Sequence, residues 1–244
     1  MLLAILLGIW QEASVHGLIN HILIPPVSDI FGAWGNALRD GSLVNALQGT
    51  ITRFFVGFAL ATAIGVAVGV LLGYSRTMYA LLEPTVELLR PLPSPAIIPM
   101  LILLLGFENR MKITAVVFAA SFPVIVNTMY GVRGVDPVLI DTARTFGHRS
   151  VAIIYRVILP AASPAILAGM RISLAVSLIV TIVAEMIAGD TGMGHFILEA
   201  QQSFDTQRMY AGIFALALLG YVLNMTFVAV ERWALPWYAD RLQR

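Results

Sequence analysis

The chain has 244 residues, 59% of them hydrophobic and only 12% charged, with a mean hydropathy of +0.85. Soluble domains carry about 25% charged residues to keep a hydrated surface, so a water-soluble globule of this size is excluded. Fifteen basic and 14 acidic residues leave a net charge of +1, with no basic excess for a nucleic-acid partner, and the absence of cysteine removes disulfides, thiolate metal sites and a cysteine nucleophile.

The start, Met1–Trp10, is apolar but has neither a basic leading region nor a small-residue cleavage site, so it reads as a membrane segment rather than a cleaved signal. Its extension to Ile24 includes Gln11, Glu12, His16, Asn20 and His21, which makes a short first helix or a chain that once began further upstream. Ser28–Asn45 reads as an amphipathic helix outside the bilayer core. A crossing needs roughly 20 mainly apolar residues, and Phe54–Gly73, Ile113–Val132, Ser163–Ala188 and Tyr210–Val230 qualify. Leu88–Phe107 is long enough but carries Pro91, Pro93, Pro95 and Pro99. Proline removes a donor and clashes with the preceding turn, so this segment is expected to be irregular and to turn helical after Pro99. The expected fold is therefore an all-α membrane protein, a single domain over 1–244 with about six transmembrane helices.

Arginine placement sets the orientation. Alternate loops hold Arg76, Arg133, Arg144, Arg149, Arg156, Arg232, Arg241 and Arg244, against Arg39, Arg53, Arg110, Lys112 and Arg208 on the other side, eight to five. Both termini are expected in the cytoplasm. Two segments carry small residues every fourth position: Gly57, Ala61, Gly65, Gly69, Gly73, and Ala165, Gly169, Ser173, Ser177, Thr181, ending at Glu185. Such stripes let another backbone approach closely; the polar end of the second could instead line a path.

The loop of about 133–162, between the fourth and fifth crossings, reads as helix, turn, helix. Asp136 suits an N-cap with Pro137 at the first helical position. The first helix runs to about Phe146, Gly147 can adopt the positive φ of a helix end, and a second helix near Ser150–Val157 ends before Pro160. A projecting helical elbow of this kind suits insertion into a groove on another protein.

The loop resembles the "EAA" loop of permeases in binding-protein-dependent ATP-binding-cassette importers, with Asp141, Thr142, Ala143, Gly147, Pro160 and Pro164 at the matching positions. Asp replaces Glu and Thr replaces the first Ala. Leu89–Pro93, Leu105–Phe107 with Lys112, Gly131–Pro137, Ala184–Met186 and Gly192–Gly194 are similar to the sulfonate, taurine and nitrate branch, so the resemblance extends from about Ile24 to Pro236. It implies a type I importer permease fold in the bacterial cytoplasmic membrane. It also implies a second permease copy forming a homodimer, a separate ATP-binding subunit that holds ATP and Mg, and an extracytoplasmic substrate-binding protein. Asp141, Ala143 and Gly147 would belong to the contact that couples the loop to the ATPase, with Arg144, Phe146 and Arg149 flanking it. The implied cargo is a small solute such as a sulfonate-, taurine- or nitrate-like anion.

The chain has no phosphate-binding Gly-x-x-x-x-Gly-Lys-Ser/Thr run, and its one lysine, Lys112, lies outside such a pattern. No enzymatic activity or bound cofactor is expected of it. Ionisable and amide groups within membrane segments face protein or water. The translocation-path candidates are accordingly Arg90, Asn127, Ser177, Thr181, Glu185 and Asn224. Each has a plainer reading: Arg90 as an interfacial anchor or a partner of Glu87, Asn127 and Asn224 as interhelical hydrogen bonders, with Asn127 also able to cover a carbonyl freed by Pro123, and Glu185 as a structural hydrogen bonder. The four histidines show no ligand spacing, so no metal site is expected, and no serine has a His/Asp arrangement around it. The alternative function is a secondary transporter or channel working without ATP.

Overall fold

The computed structural model describes residues 2–236. Eleven α-helices lie among them: α1 Leu2–Val15, α2 Val27–Arg39, α3 Ser42–Tyr74, α4 Arg76–Leu89, α5 Ser94–Leu105, α6 Asn109–Arg133, α7 Pro137–Thr145, α8 Ser150–Ile153, α9 Leu159–Ala188, α10 Met193–Gln202 and α11 Thr206–Ala234. A π-helical segment, Ile154–Ile158, joins α8 to α9. Four of these stretches are long and apolar enough to cross a membrane: Ser42–Tyr74, Asn109–Arg133, Ser150–Ala188 and Thr206–Ala234. A fifth span is reached only if α4 and α5, bent by 98° across their break, are taken together. In α1 the apolar stretch Ile5–Val15 is shorter than a crossing requires.

Three expectations are corrected. The stretch 28–45 is not one helix. Gly41, at φ 78, separates α2 from α3, and Asp40 Oδ1 accepts from the Ser42 backbone N–H at 2.8 Å. That turn holds the Asp40 carboxyl below its ordinary pKa, through hydrogen bonds from the Ser42 side chain and then its backbone. Second, the proline-rich segment is helical from Ser94 rather than from beyond Pro99. Pro91 and Pro93 lack N–H groups and sit in the break, whereas Pro95 lies in the first turn of α5, where its missing donor has no intrahelical partner to lose. Third, the helix after Gly147 does not stop before Pro160. It runs on as a 39-residue stretch to Ala188, because the π turn at 154–158 widens the backbone where the Pro160 ring would otherwise meet the Arg156 carbonyl. Pro164 leaves the Pro160 carbonyl without its usual helical donor, and the Ser163 hydroxyl fills in at 2.8 Å.

The chain divides into two compact units. The unit comprising Phe54–Val180 and the chain from Val222 onward is centred on α6. On one side the first small-residue ladder meets it. A Cβ added at Gly57, Gly65, Gly69 or Gly73 would come within 2.5 to 2.6 Å of Val116, Val124, Thr128 or Val132 respectively, and Ala61 and Ala120 are both fully buried. On the other side α9 approaches as closely. A Cβ on Gly131 would stand 2.6 Å from that of Ala165, one on Gly169 would stand 2.7 Å from that of Asn127, and Ser173 donates to the Ala120 carbonyl at 2.7 Å. Over these positions, Gly57–Gly73 and Ala165–Ser173, the ladders are packing surfaces. Below them Val132, Val135, Ala143, Ile153, Ile158, Ala162 and Ile166 form one buried cluster that roots α7 and α8 on the ends of α6 and α9. Arg133 lies with its guanidinium carbon 3.5 Å from the Tyr79 ring centroid, a cation–π contact.

The other unit comprises residues up to Arg53 and Thr181–Tyr221. Trp10 packs edge-on to Tyr210 at 5.6 Å and against Phe214 at 6.0 Å, and its indole N–H donates to the Pro25 carbonyl at 3.1 Å. Phe31 of α2 also reaches Phe214, at 6.2 Å.

Candidate functional site

The loop of 133–162 is a helix–turn–helix with its own buried cluster. Asp136 caps α7 by accepting from the Val138 N–H at 2.9 Å, with Pro137 in the first turn. The helix ends at Thr145, and Gly147 turns the chain at φ 77. An L-residue there would carry a left-handed penalty of about 1–2 kcal/mol. Ala143 alone in α7 is buried, facing the cluster at the loop's base. Asp141, Thr142, Arg144, Phe146, Gly147 and Arg149 are exposed, and Arg144 pairs with Asp141 one turn away at 3.0 Å. Val138, Leu139, Phe146, Val151 and Tyr155 expose between 50% and 79% of their surface. Exposed apolar side chains on an elbow rooted in this way are available to contact another protein or lipid. Pro160 lies behind it, inside α9.

Two path candidates share one cavity. Arg90, at the α4–α5 break, and Asn127, midway along α6, both line a space of about 320 Å³ with Ser94, Phe118 and Phe122. Among the described residues Arg90 forms no ion pair, with Glu87 or any other acid. The Asn127 amide donates to the Pro123 carbonyl at 2.8 Å, its own i−4 position, rather than to the Ala119 carbonyl that Pro123 frees. Ser177 is fully buried on α9, and Asn224 lies on an exposed face of α11.

Glu185 has a wholly internal environment. It is 0% exposed, and both its oxygens are taken. Arg53 Nη1 donates to Oε1 at 2.8 Å, the Thr50 hydroxyl lies 3.0 and 2.8 Å from Oε1 and Oε2, and the Gly194 N–H donates to Oε2 at 3.0 Å. Arg53 also donates to the Thr191 carbonyl at 2.8 Å and hydroxyl at 2.6 Å, and the Met193 N–H donates to Thr50 at 2.8 Å. A side chain at Gly192 would collide with the Glu185 carboxylate, and its φ of 110 is a second barrier to one. Thr181, one turn earlier, is equally buried. Sequence reasoning found Glu185 but placed Arg53 in a loop and passed over Thr50 and Thr191. Arg53 lies inside α3, 5% exposed, and Lys112 is 1% exposed in α6. The outer count of five basic residues therefore includes two, Arg53 and Lys112, that are buried in helices. Among the described residues no group of three or more acidic or histidine side chains is placed to hold a metal ion.

Comparison with known proteins gives a consistent result. Residues 61–238 match the family described as "Binding-protein-dependent transport system inner membrane component". The chain is 34% identical over 237 residues to a putative aliphatic sulfonates transport permease of Bacillus subtilis strain 168, covering 97% of this chain and 86% of the relative. It is 30% identical over 243 residues to the taurine transport system permease of Escherichia coli K12, covering 98% and 88%. It is 28% identical over 201 residues to a nitrate import permease of Synechocystis, covering 82% and 73%. Among solved structures, a chain of the inward-facing MetNI methionine ABC transporter superposes with a TM-score of 0.68 at 20% identity, covering 78% of this chain and 95% of that one. An amino acid ABC transporter solved with histidines gives 0.63 at 18%, covering 81% and 94%.

Proposed function

Because the chain belongs to the binding-protein-dependent transport family of inner-membrane components, and is thus the permease of an ATP-driven importer rather than the hydrolysing subunit, we propose how its parts share the work. The loop of 133–162 receives the ATPase, with Asp141, Thr142, Ala143, Arg144, Phe146, Gly147 and Arg149 at or beside the contact and Pro160 behind it. The observation that carries this is the run of exposed apolar side chains along the elbow, from Val138 to Tyr155, on a loop whose one buried α7 residue, Ala143, ties it to the ends of α6 and α9. A groove closing on α7 would move those helix ends, because the elbow has its own packed core.

In this reading two copies pair across the path, with about six crossings each once the short α1 and the bent α4–α5 pair are both counted, and both termini inside. ATP and Mg are held by the partner subunit, and a substrate-binding protein delivers cargo from the outer side. The cargo is a small anion of the sulfonate, taurine or nitrate kind, as the names of the relatives suggest. Arg90, Asn127, Ser177, Thr181 and Asn224 are the path candidates. For Glu185 the burial and full hydrogen bonding support a structural role.

The test is co-purification of a C-terminally tagged chain with its ATPase, in the parent and in Gly147→Arg. Loss of the ATPase and of ATP-driven uptake at unchanged membrane abundance is expected. Normal uptake by Gly147→Arg would refute the coupling assignment.

A further inference from the structure

We propose that the cavity beside the α4–α5 break is a weak binding site for an organic anion in transit, with Arg90 holding the acid group and the apolar wall holding a short hydrocarbon tail. The proposal rests on the importer reading and adds to it a site within this chain and a preference among anions.

The starting point is the break itself. Non-helical backbone at membrane depth persists only where it is enclosed by protein or lines a water-filled cavity. Residues 90–93 leave the helical path between two apolar helices bent by 98°, and a cavity of about 320 Å³ lies against them. At about 30 Å³ of liquid volume per water, that space holds roughly ten waters. It also suits a small anion that keeps part of its hydration shell.

The lining then selects the occupant. Among the described residues Arg90 is the only charged one lining the cavity, and no carboxylate shares that wall, so the lining itself offers an anion a cation and no competing acid. A guanidinium offers a planar fork of donors matched to an oxyanion. Ser94 adds a hydroxyl, and Asn127, with one amide hydrogen committed to the Pro123 carbonyl, has a second to give. The rest of the wall is apolar, including Phe118, Phe122, Ile172 and Val176. Phe118 and Phe122 meet edge to face at 5.2 Å. An inorganic anion such as nitrate uses only the polar part of this wall. An anion with a few methylenes also removes apolar surface from water, and that asymmetry makes an alkanesulfonate the better fit.

The experiment is saturation-transfer NMR of butane-1-sulfonate on the full chain, purified with the ATPase subunit that accompanies it, in phosphatidylcholine nanodiscs and with no binding protein added. Expected is a signal concentrated on the butyl protons, with nitrate a weak competitor and n-butanol giving little. Arg90→Gln should raise the apparent Kd about tenfold or more, the scale of one charge-assisted hydrogen bond, and Arg90→Lys should recover part of it. Val176→Trp, which fills the cavity and spares the arginine, should abolish the signal even where Arg90→Gln fails to fold. Equal signals in the parent, Arg90→Gln and Val176→Trp overturn the proposal, as does n-butanol binding as well as the sulfonate. A signal lost when phosphatidylglycerol is added assigns Arg90 to a lipid headgroup and also overturns it. The two readings fail separately. A butanesulfonate signal in a chain that brings no ATPase with it sinks the importer reading and spares the cavity. ATP-driven uptake with no Arg90-dependent signal does the reverse.

Discussion

Truncating Glu185 to alanine removes the acceptor for Thr50, Arg53 and the Gly194 N–H in a place with no exposure to solvent. Arg53, 5% exposed, keeps its bonds to Thr191 but loses its counter-charge. Breaking a buried pair from one side costs about 3–5 kcal/mol. At roughly 2–4 °C per kcal/mol for a chain of this size, that is a fall of about 6–20 °C in Tm. The Thr191 bonds place the value in the lower half of that range. Glu185→Gln should cost less, because one oxygen remains to accept from Arg53, while its amide hydrogens face the Gly194 N–H. Replacing both partners, Arg53→Met with Glu185→Leu, should recover only part of the loss: no charge is left stranded, but the Gly194 N–H and the Thr50 hydroxyl still lose their acceptor. The assay is the thermal midpoint of the tagged chain by size exclusion in detergent, alongside uptake. If Glu185→Ala melts within about 2 °C of the parent yet abolishes transport, the structural reasoning is wrong, because the cost is missing and Glu185 acts on the cargo or the gate.

Gly65→Leu should lower the thermal midpoint sharply, at a cost of about 1–3 kcal/mol or more from overpacking, because even a Cβ there would lie 2.5 Å from that of Val124. Gly35→Leu, with nothing within 4 Å of a Cβ, is the control and should be nearly silent. Asp40 gives a pH signature. Its folded pKa lies below the ordinary 3.8, so its stabilisation is present above that value and is lost as pH falls through the lower folded one. The stability difference between parent and Asp40→Asn should be flat from about pH 8 to 5 and close only below the unfolded value.

Much of the architecture was legible because the apolar stretches at Phe54, Ile113, Ser163 and Tyr210 are long, and because four-residue spacing of glycine has one main physical use. The elbow was legible for local reasons too: Asp136, Pro137 and Gly147 act within a few residues of themselves. What escaped was long-range or hidden by a boundary. Arg53 sits immediately before Phe54, where the hydropathy changes, and so reads as a loop residue. Only its partner, 132 positions away in the chain, explains why it is inside a helix. Gly192 and Gly194 belonged to a familiar pattern, but their reason, room and a backbone donor for a carboxylate, needed coordinates. Pro160 was read as a stop because one-turn reasoning assumes α geometry, and a π turn relaxes that assumption.

The position of α6 between two close-packed neighbours bears on how the chain enters the membrane. This helix carries Lys112, Ser121, Asn127 and Thr128, and it is the least hydropathic of the four long spans. Groups such as these are unwelcome in lipid, yet half of its apolar window is sheltered in the folded protein. During synthesis α3 emerges first and can cover the Val116–Val132 flank at once. The flank of Asn127 and Gly131 waits for α9, which follows only after the 133–162 loop has left the ribosome. Biogenesis therefore has an interval in which α6 stands half-clothed, and insertion defects should concentrate in substitutions that make this helix more polar on its α9 side.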